Sequence, residues 1–450
     1  MKKIYPILCG LLLALLLFVG LFSLFDIDAT YSERERRSLK TLPGLTISSL
    51  LDGSYTAKFS EYYADTFPNR ESLMDTNRTL NGFYYFSGGS NTLVVDRNNG
   101  AADHGENLGG STPSQEATTP SDTSGEEATV PSESTAPPLE EAPDVEGVVE
   151  QLGAVALIGD RALDIPYADN DQIKAYAAAV TKIAAALGSN VRTFSMPVPN
   201  SAAYYSPAEY RTGASSQTAM LELVQDSLGS NVHFVDSYSA IAPHTDEYLY
   251  FRTDHHWTQL GAYYAYTAFC QAAGFTAPSL DTFETGQWDD FVGSLYTSIS
   301  DYPQSQVLLD NPDTVYYYKP SVDCTTTYYS DTTLSDPVPI GAISYVGETS
   351  NKYLTFMGGD HPITIIDTGN SGSTCILIKE SFGNCFAPWL INNYSKVICI
   401  DPREFNRDGT PTLDLPSFAQ EHGVTDCIIL NYPMMLSSEA YTTWLERLVD

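Results

Sequence analysis

Beyond residue 150 the chain alternates between short apolar runs and longer stretches with helical spacing. The apolar runs fall at 153–160, 191–196, 232–236, 375–379, 396–400 and 427–430, each of strand length. Between them, 172–187, 217–228 and 259–273 read as helices, the last with Thr258 as its cap. Shorter helical patterns at 387–393, 417–422 and 439–449 fill the gaps of the final third. Buried runs alternating with helices predict an α/β fold: a mostly parallel sheet with helices on both faces, three layers α/β/α. From 283 to 357 the rhythm weakens into a tyrosine-rich stretch of strand-like pieces.

The N-terminal half is patterned differently. An apolar run at 7–25 follows Lys2 and Lys3 and is long enough to cross a bilayer core of roughly 30 Å. It predicts a transmembrane anchor over 1–25, since no small-x-small cleavage site follows. Arg34, Arg36, Arg37 and Lys40 outnumber the two leading lysines, which by the positive-inside count favours the reverse orientation. The composition beyond the anchor looks exported and sets the expectation of an extracytoplasmic domain on a single-pass membrane protein. Residues 26–98 read as a juxtamembrane segment and the first part of that domain. It holds a turn at Asp52 and Gly53, a helix over 59–65 ended by Pro68, and a strand over 91–96. From 99 to 150 the chain is Ser, Thr, Pro, Gly, Ala and acid without a single Lys or Arg, a composition that predicts a disordered insertion. The run at 153–160 is expected to pair with 91–96 across that insertion; the alternative is two independent domains. The main domain is expected over 151–450.

Charge narrows the partners. With 23 Lys+Arg against 56 Asp+Glu the net charge is -33, which repels phosphate backbones and argues against nucleic acid. The seven cysteines show no metal-knuckle spacing, so neither a zinc site nor any other cofactor is expected. Cys375, Cys399 and Cys427 sit in apolar runs and read as buried small hydrophobes, while a disulfide among the others stays open.

Two stretches carry chemistry. Thr253, Asp254, His255, His256, Trp257 and Thr258 place a carboxylate two residues before an imidazole, directly ahead of a helix. In extended backbone, or through a local turn, Asp254 can orient His256. Far downstream an apolar strand runs into Lys379, Glu380, Ser381, Phe382, Gly383 and Asn384. A serine on a strand-to-helix turn at the carboxyl end of a sheet is a candidate nucleophile, and it needs a base oriented by a third group. Asp254, His256 and Ser381 supply all three roles, and chain order is no obstacle. Taken singly each piece is weak: a serine there is more often a turn residue, and an Asp–His pair more often structural. His255 reads as structural or hydrogen-bonding, and a metal site on Asp254, His255 and His256 lacks a convincing third ligand. Trp257 reads as a packing residue, and His361, after a glycine pair, is a further histidine of interest.

The segment from Thr253 to Thr258 resembles the signature of the DHHW protein family, which is similar to the alginate O-acetyltransferases. That likeness implies an SGNH-hydrolase-like fold with its motifs permuted along the chain. It assigns Asp254 and His256 to an Asp-x-His-Trp pattern with Trp257, and Ser381 to the nucleophile. Stretches at 65–70, 290–296 and 356–361 are also family-like. Glu380 stands where Asp is expected, and Asp360 where Asn is expected. A carboxylate cannot donate to an oxyanion, so Asn384 and backbone N–H groups near Ser381, Gly383 included, are the expected donors. The resemblance implies a membrane-anchored O-acyltransferase, with acetyl as the acyl group, acting through an acyl-serine on a cell-envelope polysaccharide hydroxyl. A membrane-bound O-acyltransferase is the implied acetyl supplier. The alternatives are a carbohydrate acetylesterase and a non-catalytic glycan-binding protein of the envelope.

Overall fold

The structure, a computed structural model, describes residues 147–347, 349–405 and 413–450, preceded by 31–32, 37–38, 41–44, 55, 58–59, 62–63, 139, 142 and 145. Contacts divide the chain into two units, 1–94 and 95–450. In the first, β1 (Tyr31–Ser32) and β2 (Arg37–Ser38) pair antiparallel. Residues 55, 58, 59, 62 and 63 are helical, with Phe59 against Tyr63 at 6.3 Å between ring centroids. The expected strand at 91–96 and most of the acidic tract lie outside the described residues.

The expectation of a membrane anchor does not stand. Among the described residues no helix is long and apolar enough to cross a membrane, and the run at 7–25 lies outside them. The single-pass topology, the membrane attachment and the cell-membrane location that rested on that run are therefore withdrawn.

The second unit opens with a three-stranded antiparallel meander: β3 (Val149–Leu152), β4 (Val155–Ile158) and β5 (Arg161–Asp164). The apolar run at 153–160 is thus a short strand between two turns. Gly153 and Gly159 turn the chain at φ of 63° and 57°, and β4 has both edges already paired.

The main sheet has eight strands. In chain order they are β6 (Arg192–Pro197), β7 (Val232–Phe234), β10 (Thr325–Tyr329), β11 (Val338–Ile340), β12 (Ile363–Asp367), β13 (Thr374–Lys379), β14 (Lys396–Ile400) and β15 (Val424–Asn431). Their spatial order is β11-β10-β12-β14-β13-β15-β6-β7. The strands from β14 to β7 run parallel, whereas β11, β10 and β12 add on antiparallel, so the sheet is mixed rather than mostly parallel. The antiparallel wing comes from the tyrosine-rich stretch whose periodicity is weak. β8 (Thr285–Phe291) and β9 (Asp313–Tyr318) form a separate antiparallel pair.

Helices cover both faces. α1 (Asn170–Leu187) packs with α2 (Gln217–Ser227). α3 (Gln259–Ala273) packs with α4 (Gly383–Leu390), while α5 (Leu415–Glu421) and α6 (Glu439–Glu446) join α1. The two groups follow from handedness. The step from β13 to β14 moves one way across the sheet and the step from β14 to β15 moves back over it. Right-handed crossovers therefore put α4 and α5 on opposite faces. That reversal makes the carboxyl edge between β13 and β15 a switch point, where ligands bind in open α/β sheets. β13 is buried at every position, as a central strand covered on both faces must be.

Candidate active site

Ser381 lies just past the end of β13, at that switch point, and α4 begins two residues later. The elbow is held by side chains as well as backbone. Glu380, fully buried, accepts the Phe382 N–H at 2.8 Å with one carboxylate oxygen and the Tyr432 N–H at 3.1 Å with the other. It thereby ties the elbow to the end of β15. Burial pushes its carboxyl up to about 7, against the opposing pull of Arg403 and those two N–H groups.

The histidine arm is a loop closed on itself. Tyr250 bridges Trp257, the Thr258 N–H reaches Leu249 O at 2.8 Å, and Thr258 caps α3 by accepting from Gly261 N–H. Within the loop Asp254 works through a local turn rather than strand alternation. Its Oδ1 accepts from the His256 backbone N–H at 3.0 Å and lies 2.6 Å from His256 Nδ1. Its Oδ2 accepts from Ser294 N–H at 2.8 Å. Residue 293 must be glycine for this approach, because a Cβ there would collide with the Asp254 side chain. Burial works to raise the Asp254 pKa, but His256, His255 and the Ser294 N–H outweigh it and hold the carboxyl well below the ordinary range.

The other ring nitrogen of His256, Nε2, stands 2.8 Å from Ser381 Oγ, across 125 positions of chain. The structure thus brings Asp254, His256 and Ser381 into one hydrogen-bonded line, all three at most 6% exposed. Trp257 joins the two arms by donating its indole N–H to Phe382 O at 2.9 Å, so it packs and also pins the elbow. Gly383 and Asn384 are placed differently from expectation. The Gly383 N–H donates to Glu380 O and the Asn384 N–H to Ser381 O. The Asn384 amide donates to Asp360 Oδ1 at 2.8 Å. Asp360 belongs to a buried ion-pair group with Lys379 and Arg403, at 2.9 and 2.7 Å. His361 stacks on Tyr328 at 3.8 Å instead of joining the site, and burial lowers its pKa to about 4.

Several residues that sequence reasoning missed complete the site. Tyr353 stacks on the His256 ring at 3.9 Å and donates its hydroxyl to Ser381 O at 2.8 Å. Ser294 holds Asp254 by its N–H, and its Oγ lies 2.6 Å from His255 Nδ1. Asp313, fully buried, accepts from Thr253 N–H at 2.8 Å and from the Thr253 hydroxyl at 2.6 Å, and so fixes the loop one residue before Asp254. Ser294 lies in the family-like stretch at 290–296, the one signal that could have found it.

The titratable groups here are not an isolated Asp–His pair. Asp254, His255 and His256 offer ligand atoms within 4.8 Å of one another, a potential metal-binding set. Several of its donors are already committed: both His256 nitrogens to Asp254 and Ser381, and His255 Nδ1 to Ser294. A cation bound through His256 would have to displace those contacts. Burial and the neighbouring His256 lower the His255 pKa to about 3, so His255 is neutral at physiological pH. All six described cysteines are free.

Residues 142–400 match the model of a family described as DHHW protein. The chain belongs to the DHHW family. A DHHW family protein from Eubacterium siraeum is 32% identical over 68% of this chain and 98% of its own, with a TM-score of 0.59. PatB1 of Bacillus cereus, solved with a sulfonyl adduct, is 15% identical over 66% of this chain and 99% of its own, with a TM-score of 0.53. No curated protein matches this DHHW chain. The fold is SGNH-hydrolase-like. The fuller expectation, a membrane-anchored extracytoplasmic acyltransferase fed by a membrane-bound partner and acting through a simple triad, is corrected. Its anchor has no counterpart among the described helices, and its acid–base groups form an Asp–His–His cluster.

Proposed function

We propose that this DHHW protein makes or breaks acyl esters, acetyl foremost, on a polysaccharide hydroxyl, with Ser381 as nucleophile. The observation that carries the reading is the 2.8 Å approach of His256 Nε2 to Ser381 Oγ. His256 takes the serine proton as Oγ attacks the ester carbonyl, and Asp254 stabilises the imidazolium. The carbonyl–oxygen bond to the leaving alcohol then breaks, His256 returns the proton to that alcohol, and an acyl-serine remains. A sugar hydroxyl or water, deprotonated by His256, attacks the acyl-serine, the acyl–Oγ bond breaks and His256 returns the proton to Ser381 Oγ; with a sugar the outcome is transfer and with water hydrolysis. His255, neutral and bonded to Ser294, buttresses the Asp254 side of the cluster.

The test uses 4-nitrophenyl acetate and a sulfonyl fluoride. The expected result is nitrophenol release that Ser381→Ala abolishes, and a sulfonyl adduct mapped to Ser381, like the adduct held by PatB1. Undiminished hydrolysis by Ser381→Ala sinks the proposal. An acetyl-oligosaccharide formed faster than free acetate assigns transfer over hydrolysis.

A further inference from the structure

An open cleft of about 520 Å3 is walled by Trp288, Asp289, Asp290, Gly347, Thr349 and Lys352. Both walls are continuous in the chain with residues that contact the Asp254–His256–Ser381 line. Lys352 precedes Tyr353, which stacks on His256 and bonds Ser381 O. Asp290 precedes Phe291, packed edge-on against Phe251 at 5.3 Å, and then Gly293, whose N–H donates to the Thr253 hydroxyl, and Ser294, whose N–H holds Asp254.

The cleft floor is a bulge. β8 pairs Trp288 with Val315 and Phe291 with Asp313, so one extra residue is inserted on the β8 side. Bulges next to active sites re-aim side chains. Asp290 sits there at φ 60°, a left-handed conformation that costs an L-residue energy and is met at ligand clamps. Its carboxylate is exposed and takes no hydrogen bond from the described residues. Asp289, by contrast, is fixed by Gln287 and Thr314 at 2.9 and 3.0 Å. Aromatic surface flanks the pair. Trp288 stacks on Tyr317 at 5.9 Å, and Tyr345, 77% exposed, stands edge-on to Trp288 at 5.2 Å. The Lys352 ammonium is turned to Val346 O and Gly347 O, holding the loop that carries Tyr345.

An aromatic platform beside a free carboxylate is the chemistry that grips a sugar ring. The ring's C–H face lies on the aromatic, and adjacent hydroxyls donate to the carboxylate. Two carboxylates against one committed ammonium disfavour an anionic sugar. We infer that the Trp288–Asp290 bulge and Tyr345 form a glycan subsite for a neutral pyranose, feeding its hydroxyl to Ser381. The inference rests on the carbohydrate reading above and narrows it to neutral rather than uronate polymers.

Calorimetric titration of the full chain carrying Ser381→Ala tests it, with cellohexaose, maltohexaose, N-acetylchitohexaose and hexagalacturonate as probes. At least one neutral probe binds, and hexagalacturonate does not. Trp288→Ala and Tyr345→Ala each weaken that binding about tenfold, and Asp290→Asn about fivefold, with near-UV circular dichroism checking each fold. Should Trp288→Ala not fold, the exposed Tyr345 and Asp290 variants decide. Three results would overturn the subsite: no neutral probe binds, the folded variants bind like the parent, or hexagalacturonate binds as well as the neutral probes. Because the parent lacks the nucleophile, a negative here leaves the ester assay standing, and a failed ester assay leaves this binding standing.

Discussion

Two buried polar groups flank Ser381, and they differ in one respect. On one side Asp254, His256 and Ser381 form a line that ends in a hydroxyl. On the other, Lys379 and Arg403 face Asp360 and Asp401 in a ring of ion pairs, with Lys379 1% exposed and Asp401 fully buried. In that ring two cations meet two anions and every charge is answered. Burial works to lower the Lys379 pKa, but Asp360 and Asp401 outweigh it and raise it, so the lysine is locked in its charged form. Burial and perturbed titration are therefore common to both groups. On the proposed reading, what separates the reactive group from a strut is the unfinished end, a hydroxyl whose proton has somewhere to go.

That contrast predicts opposite mutational signatures. Ser381→Ala should lower 4-nitrophenyl acetate hydrolysis by roughly a thousandfold or more, while leaving urea unfolding within about 1 kcal/mol. Equal losses of activity and stability would erase the distinction. Lys379→Met should do the reverse in kind, destabilising by about 3–5 kcal/mol because Asp360 and Asp401 lose a buried partner; adding Asp360→Asn should recover part of it. Asp313→Asn, which loosens Thr253 and so the loop, should cut turnover by up to about a hundredfold through misplacement of His256. Its effect on sulfonyl labelling at Ser381 should be of similar size.

Glu380 sharpens the comparison because it touches the elbow yet sits among closed contacts. Its folded carboxyl binds a proton more tightly than its unfolded one. The stability it contributes is thus intact below about pH 4.5 and lost as pH rises through about 7. Relative to Glu380→Gln, the parent should lose on the order of 2 kcal/mol across that window. A flat difference between the two unfolding curves would refute the assignment. Smallest of all, Trp257→Phe removes the single indole bond to Phe382 O and should cost about 1 kcal/mol. Its signature is a modest fall in turnover on ester substrates.

The pairing of Asp254 with His256 and the place of Ser381 at a strand's end were legible because they are written in local order. Asp254 and His256 are two residues apart and bond through one turn, and Ser381 follows a run whose apolar character fixes it as a central strand. Helix 259–273 was readable to the residue, since Thr258 caps it and Gly274, at φ 78°, ends it. α4 was not: it starts at Gly383, four residues before its apolar pattern suggests, because the elbow rather than amphipathicity begins it. The antiparallel wing was unreadable, as tyrosines and threonines on a half-covered sheet give no clean period. Asn384 was expected as a donor because Asp360 stands where the resemblance expects Asn, and only the structure shows that one amide N–H of Asn384 bonds Asp360 itself.

Residue types and spacing by themselves determined the α/β rhythm, the Asp–His turn and the serine at a strand's end. These depend on interactions a few residues long, which composition and period encode directly. Tertiary structure alone decided that Ser381 meets His256, that Asp313, Ser294 and Tyr353 hold the arms in place, and that Asp360 joins a closed ring of charge. Those contacts span tens of positions and are set by the order of strands in the sheet, a property of the whole chain's packing that no single stretch carries.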